Sequence, residues 1–212
     1  MADDVIPQSR GRFDLDVDRQ RAFVFVGGMA IVMWLAEIVD TIMGGDLDAY
    51  GIRPRDTEGL EGIPLSPFLH GGFDHLIANT LPFLALGAMI ALSGFVRVVL
   101  VTLIVMLVGG LGTWLVAPEN TVHIGASGVV FGYAAYLVAR GAYTRSLVHI
   151  AAGLVVIALW GVTLLGGLTP QEGISWQGHL FGALGGLVAA WALDGREARE
   201  RRGGAPAAPD PL

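Results

Sequence analysis

Four polar side chains in this sequence are of kinds, and at spacings, that could do chemistry together. Ser127 sits in Gly125-Ala126-Ser127-Gly128 and His179 in Gly178-His179-Leu180-Phe181-Gly182. A serine hydroxyl is a weak nucleophile until a base takes its proton during attack. An imidazole with an ordinary pKa near 6.5 is already largely neutral at pH 7 and can serve. His75 and Asn79, four residues apart, share one face of a helix. Their N–H groups suit the negative oxygen that builds up in acyl transfer. Taken singly, each has an ordinary reading: a packing serine, an interfacial histidine, a structural hydrogen-bonding pair.

The elements carrying these residues are apolar. The 212-residue chain is 53% hydrophobic and 15% charged, with 31 glycines and no cysteine. That charged share falls well below the roughly 25% of soluble domains, and glycine is common in membrane helices. The lack of cysteine excludes disulfides and thiolate metal sites. The net charge of −6 sits mostly in the ends and the first long loop. An all-α, polytopic membrane protein is expected, with spans near 22–42, 74–93, 97–117, 125–140, 146–167 and 176–193, a bundle of six transmembrane helices. Residues 1–20 read as a polar N-terminal tail without a cleavable signal peptide, 21–194 as the membrane domain and 195–212 as a disordered tail.

All thirteen basic residues are arginines. With the N-terminus cytoplasmic, six spans place eleven of them inside and only Arg53 and Arg55 outside, a strong positive-inside bias. Both termini are then cytoplasmic, and the protein a multi-pass one of the cell membrane. The same orientation, derived from arginine alone, brings His75, Asn79, Ser127 and His179 to similar depth on the extracytoplasmic side. The fourth span, at about 16 residues or roughly 24 Å, is too short for the bilayer. Inside the bundle, its outer end and Ser127 would lie below the membrane surface within reach of water.

Gly125-Ala126-Ser127-Gly128 with Phe131-Gly132, the Gly178–Gly182 segment with Gly186, and the stretch from His70 through His75 to Asn79 resemble the rhomboid intramembrane serine proteases. The likeness covers roughly residues 21–194. It implies a rhomboid-like bundle that cleaves transmembrane protein substrates in the lipid bilayer, near its extracytoplasmic boundary. It implies Ser127 as nucleophile and His179 as general base and then acid. His75, Asn79 and the Ser127 backbone N–H would hold the oxyanion, with Phe131 packed on the imidazole. Gly125 and Gly128 belong to the nucleophile motif, and Gly182 and Gly186 let the sixth helix approach the fourth. The family commonly carries a Trp-Arg pair before its second helix; here that region reads Gly62-Ile63-Pro64-Leu65-Ser66-Pro67-Phe68-Leu69.

Glu37 and Asp40 are candidate third members of a triad, but loop or packing roles suit them better, and a Ser-His dyad steadied by Phe131 is expected. His70 and His123 read as local structural residues and His149 as interfacial. The histidine spacing fits no familiar zinc pattern, so no metal, cofactor or nucleic-acid partner is expected. Two other readings compete. A non-catalytic escort of client helices on the same scaffold would be marked by loss of the serine or the histidine. A transporter would spread polar groups through the bilayer depth.

Overall fold

The computed structural model describes residues 12–171 and 173–203, with side-chain surroundings for 14–171 and 173–196. Among the described residues the regular secondary structure is helical, apart from one isolated bridge between Ile52 and His123. The helices are α1 (Arg12–Met43), the one-turn α2 (Gly62–Leu65), α3 (Phe73–Ala91), α4 (Phe95–Val116), α5 (Ser127–Thr144), α6 (Leu147–Gly167) and α7 (Trp176–Gly203). Short 3-10 turns at Asp46–Tyr50, Glu58–Glu61 and Ser66–Phe68 flank α2 in the long first loop. Four helices (α1 from Asp14, α3, α4 and α6) are long and apolar enough to cross a bilayer. α5 and α7 carry more polar and small residues, which is why their hydropathy is weaker.

α5 is the centre of the bundle. Val129 to Ala134, Tyr136, Leu137, Arg140 and Gly141 are buried, so nearly every face of it is covered. It packs most extensively on α7, then on α6, α3 and α4. α1 lies outside, against α3 and α4, through Ala22, Val26, Met29, Ala30, Met33, Glu37 and Asp40. That three- and four-residue spacing is the stripe of a helix with one covered face. Asp18 of α1 reaches across to accept a hydrogen bond from the Phe95 N–H at 3.2 Å, which caps the start of α4.

Helix ends differ from the sequence expectation in three places. α1 begins at Arg12, inside the expected polar tail. α5 continues to Thr144 and has 18 residues rather than 16. α7 runs to Gly203, nine residues past the expected boundary at 194. Hydropathy marks where an apolar stretch ends, whereas Glu, Ala and Arg in Gly195–Gly203 are good helix formers that carry the helix on. The rest of the two expected tails, 1–11 and 204–212, lies outside the described residues.

At the end of the bundle away from Ser127, three helices are tied by charge. Asp194 of α7 is fully buried, and its Oδ1 accepts from Arg97 of α4 at 2.8 Å and Arg140 of α5 at 3.2 Å. Arg140 also donates to Ser93 at 2.6 Å. The opposite end is tied by loops. Without a Trp-Arg pair, the first loop is anchored by Arg55, which donates to Glu119 and to the Leu115 carbonyl, and by Trp114, which donates to the Asp56 carbonyl at 2.8 Å.

Candidate active site

Ser127 is the first residue of α5, and the turn before it needs glycine. Gly125 has φ +108°, and a Cβ there would stand 2.6 Å from the His75 ring. Two hydrogen bonds pin this turn: the Gly125 N–H donates to the Ser66 carbonyl at 2.8 Å and the Ala126 N–H to His70 Nε2 at 3.2 Å. His70 is therefore an acceptor and neutral. Burial, with His75 beside it, pulls its pKa down to about 4.

His179 lies in the first turn of α7. Its Nε2 is 2.8 Å from Ser127 Oγ, and its Nδ1 is 2.7 Å from the Gly167 carbonyl at the end of α6. A carbonyl only accepts, so Nδ1 bears the proton and Nε2 is left to accept from the serine hydroxyl. The Phe131 ring stacks on the imidazole at 4.1 Å between centroids and 5° between planes. Phe131 follows Ser127 by four residues, about one helical turn, so α5 presents the hydroxyl and the stacking face together. α7 comes this close because Gly182 and Gly186 lie on the carbonyls of Gly128 and Gly132, leaving no room for a Cβ.

His75 and Asn79 lie on α3. With Ser127, Phe131 and His179 they line a cavity of about 900 Å³, which continues to Trp160, Thr163 and Leu164 of α6. Asn79 is buried and gives one amide hydrogen to the His75 carbonyl of its own helix at 2.9 Å; Nδ2 keeps a second. Glu37 and Asp40 are buried on α1, and Asp40 accepts from the Leu47 N–H at 2.7 Å to close the turn after that helix. The partner of His179 Nδ1 is a carbonyl, not either carboxylate. His149 is bonded to Thr144 at the turn between α5 and α6.

Three contacts around Ser127 and His179 escaped sequence reasoning. The Gly167 carbonyl is backbone, and backbone acceptors leave no mark beyond a Gly-Gly pair ending a helix. His70 pins the turn before Ser127 through a contact 56 residues away. Ser175 accepts from the Gly178 N–H at 3.2 Å, as a helix N-cap does, and bonds His123 Nδ1 at 2.7 Å, which ties the loop before α5 to the start of α7. The serine before Trp176 was the available signal.

A rhomboid domain matches residues 60–196 of the chain. The chain belongs to the rhomboid family. Among similar proteins, "Uncharacterized protein Rv1337" of Mycobacterium tuberculosis (strain ATCC 25618 / H37Rv) is 41% identical over 208 residues, covering 92% of this chain and 87% of its own length. "Uncharacterized protein ML1171" of Mycobacterium leprae is 40% identical, covering 83% of this chain and 75% of its own. "Putative rhomboid protease YdcA" of Bacillus subtilis (strain 168) is 31% identical over 57% of this chain and 60% of its own. This rhomboid chain is thus a multi-pass membrane protein, and its Ser127–His179 pair belongs to the matched domain.

Proposed function

We propose that this protein is an intramembrane serine endopeptidase that hydrolyses peptide bonds of transmembrane proteins. One observation carries the reading: Ser127 Oγ lies 2.8 Å from an unprotonated His179 Nε2, hydrogen-bonding reach for a nucleophile and its base. As Oγ attacks the scissile carbonyl, its proton passes to Nε2 and the carbonyl oxygen becomes an oxyanion. The free Asn79 amide hydrogen, His75 and the unpaired Ser127 N–H at the start of α5 receive that charge. His179 returns the proton to the leaving amine, and water, activated by the same imidazole, releases the acyl group from Ser127.

In this reading all six long helices span the membrane, α5 and α7 within the bundle. The arginine bias puts both termini in the cytoplasm and opens the site to the extracytoplasmic face of the cell membrane. α3 and α6 supply facing walls of the cavity, so a substrate helix reaches Ser127 sideways between them. An intact helix hides its peptide bonds in its own hydrogen bonding. Substrates with small or helix-breaking residues near the outer boundary are therefore favoured. The test is incubation of purified protein in lipid with a panel of single-span proteins, beside fluorophosphonate labelling. New fragments and label, both absent in Ser127→Ala, are expected. Cleavage that persists in Ser127→Ala removes the serine from the mechanism.

A further inference from the structure

The stack of Phe131 on His179 leaves one freedom open. A half-turn of the imidazole about its Cβ–Cγ bond keeps the ring in the same plane, 4.1 Å from Phe131, yet swaps Nδ1 with Cδ2 and Nε2 with Cε1. In the flipped ring Ser127 would face a carbon and find no base. Stacking cannot distinguish the two states. A hydrogen-bond acceptor beside Nδ1 can, and only one ring position and one tautomer satisfy it.

That acceptor is the carbonyl of Gly167, 2.7 Å from Nδ1. The last carbonyls of a helix have no partner within it, so Gly167 O at the end of α6 is free to take a side-chain N–H. The approach needs glycine: a Cβ on Gly167 would stand 2.6 Å from Phe131 Cζ and 3.0 Å from His179 Nδ1. α6 is also the least covered of the four strongly apolar helices, with 11% of its apolar window buried against 33–39% in the other three. Its main contact is with α5, and only Gly153 and Val156 are buried along it.

We infer that the Gly167 carbonyl is the positioning group that aims His179 Nε2 at Ser127, and that the pair is aligned only while the end of α6 is seated against Phe131. The catalytic consequence rests on the proteolytic reading above; the hydrogen bond and the tautomer do not.

The experiment is a pair of backbone esters in the full-length protein in lipid. Replacing the amide nitrogen of Leu168 by oxygen turns the Gly167 carbonyl into a weaker ester acceptor and removes the Leu168 N–H bond to Leu165 O. Replacing that of Thr169 removes a comparable bond, Thr169 N–H to Gly166 O, but leaves the Gly167 carbonyl an amide. The ester at 168 is expected to lower kcat about fivefold at unchanged KM, and the ester at 169 by less than about twofold on the same scale. Nitrogen-15 spectra of labelled His179 should show the Nδ1–H tautomer in the unmodified protein and a growing Nε2–H population in the 168 ester alone. Equal losses from both esters, or an Nε2–H tautomer in the unmodified protein, overturn the inference. A protein that takes no fluorophosphonate and cleaves nothing defeats the proteolytic reading instead, and the tautomer then decides the inference.

Discussion

Gly182 of α7 rests on the backbone carbonyl of Gly128, the residue after Ser127, so closely that no side chain fits between the helices. His179 precedes Gly182 by three residues, so this contact sets how far the imidazole stands from the hydroxyl. A methyl group here meets backbone, which cannot swing aside. Gly182→Ala is expected to destabilise the protein by about 1–3 kcal/mol through overpacking and to lower fluorophosphonate labelling sharply. Gly128→Ala, whose Cβ would stand 3.2 Å from the Gly178 carbonyl, should be milder in thermal unfolding. Equal unfolding temperatures for Gly182→Ala and the parent would show that the helices are not held at this distance by glycine.

If His179 is the base that we propose, the Phe131 ring stacked on it offers orientation without polar chemistry, and its loss should be separable from loss of the imidazole. His179→Ala removes the proton acceptor and is expected to cut kcat by roughly 10²–10⁴-fold. Phe131→Leu keeps apolar volume but gives up the parallel ring face, and an aromatic stack is worth about 1 kcal/mol. A drop of about fivefold is expected, with Phe131→Tyr near the parent. Kinetics on a cleaved substrate decide the matter: a Phe131→Leu variant as inactive as His179→Ala would mean that the ring shapes the whole site.

In the proposed mechanism Asn79 has one hydrogen to give the oxyanion, because the other is held by the His75 carbonyl. Removing a single oxyanion donor costs about 10²–10³ in other serine hydrolases. The Ser127 backbone N–H remains as an alternative. Asn79→Ala is accordingly expected to lower kcat by roughly 10–100-fold with little change in KM. A change confined to KM would move Asn79 from oxyanion binding to substrate binding.

The helices were legible because apolar runs of about 20 residues have few other uses, and the residues around Ser127 and His179 because their motifs are local. Boundaries were not legible where a helix outlives its apolar stretch, as α7 does from Gly195 to Gly203. Contacts between distant segments were equally hidden. His70 was read as a local structural residue, yet its partner is the Ala126 N–H in the turn before α5. The contact from Gly167 left no mark because a sequence names side chains, and here the group that meets His179 is a carbonyl oxygen.

Asp194 holds two arginines from two other helices at the far end of the bundle. Its carboxylate is fully buried and Arg140 nearly so. Removing one member of such a cluster leaves desolvated charge without a counterpart, at a cost of about 3–5 kcal/mol. Asp194→Ala should therefore unfold at a markedly lower temperature than the parent. Arg140→Met, which removes a buried cation and leaves Arg97 on the aspartate, should lose less. If Asp194→Ala unfolds with the parent, the cluster contributes nothing net to stability.

His70 gives the fold a dependence on acid. Its pKa is about 4 in the folded protein against an ordinary value of 6.5. Above pH 6.5 neither state carries a proton on it, and the His70 bond to Ala126 is at full strength. Below 6.5 the unfolded chain takes up a proton that the folded protein refuses until pH 4, so stability falls through that window. The loss approaches roughly 3 kcal/mol at its lower edge. Glutamine can accept the Ala126 N–H through its side-chain oxygen and does not titrate. His70→Gln is expected to flatten the dependence of unfolding temperature on pH between 6.5 and 4. His123, whose pKa burial also lowers, accounts for part of the slope that remains. Identical slopes for parent and variant would mean that the imidazole at 70 is not kept neutral by its burial beneath the turn before Ser127.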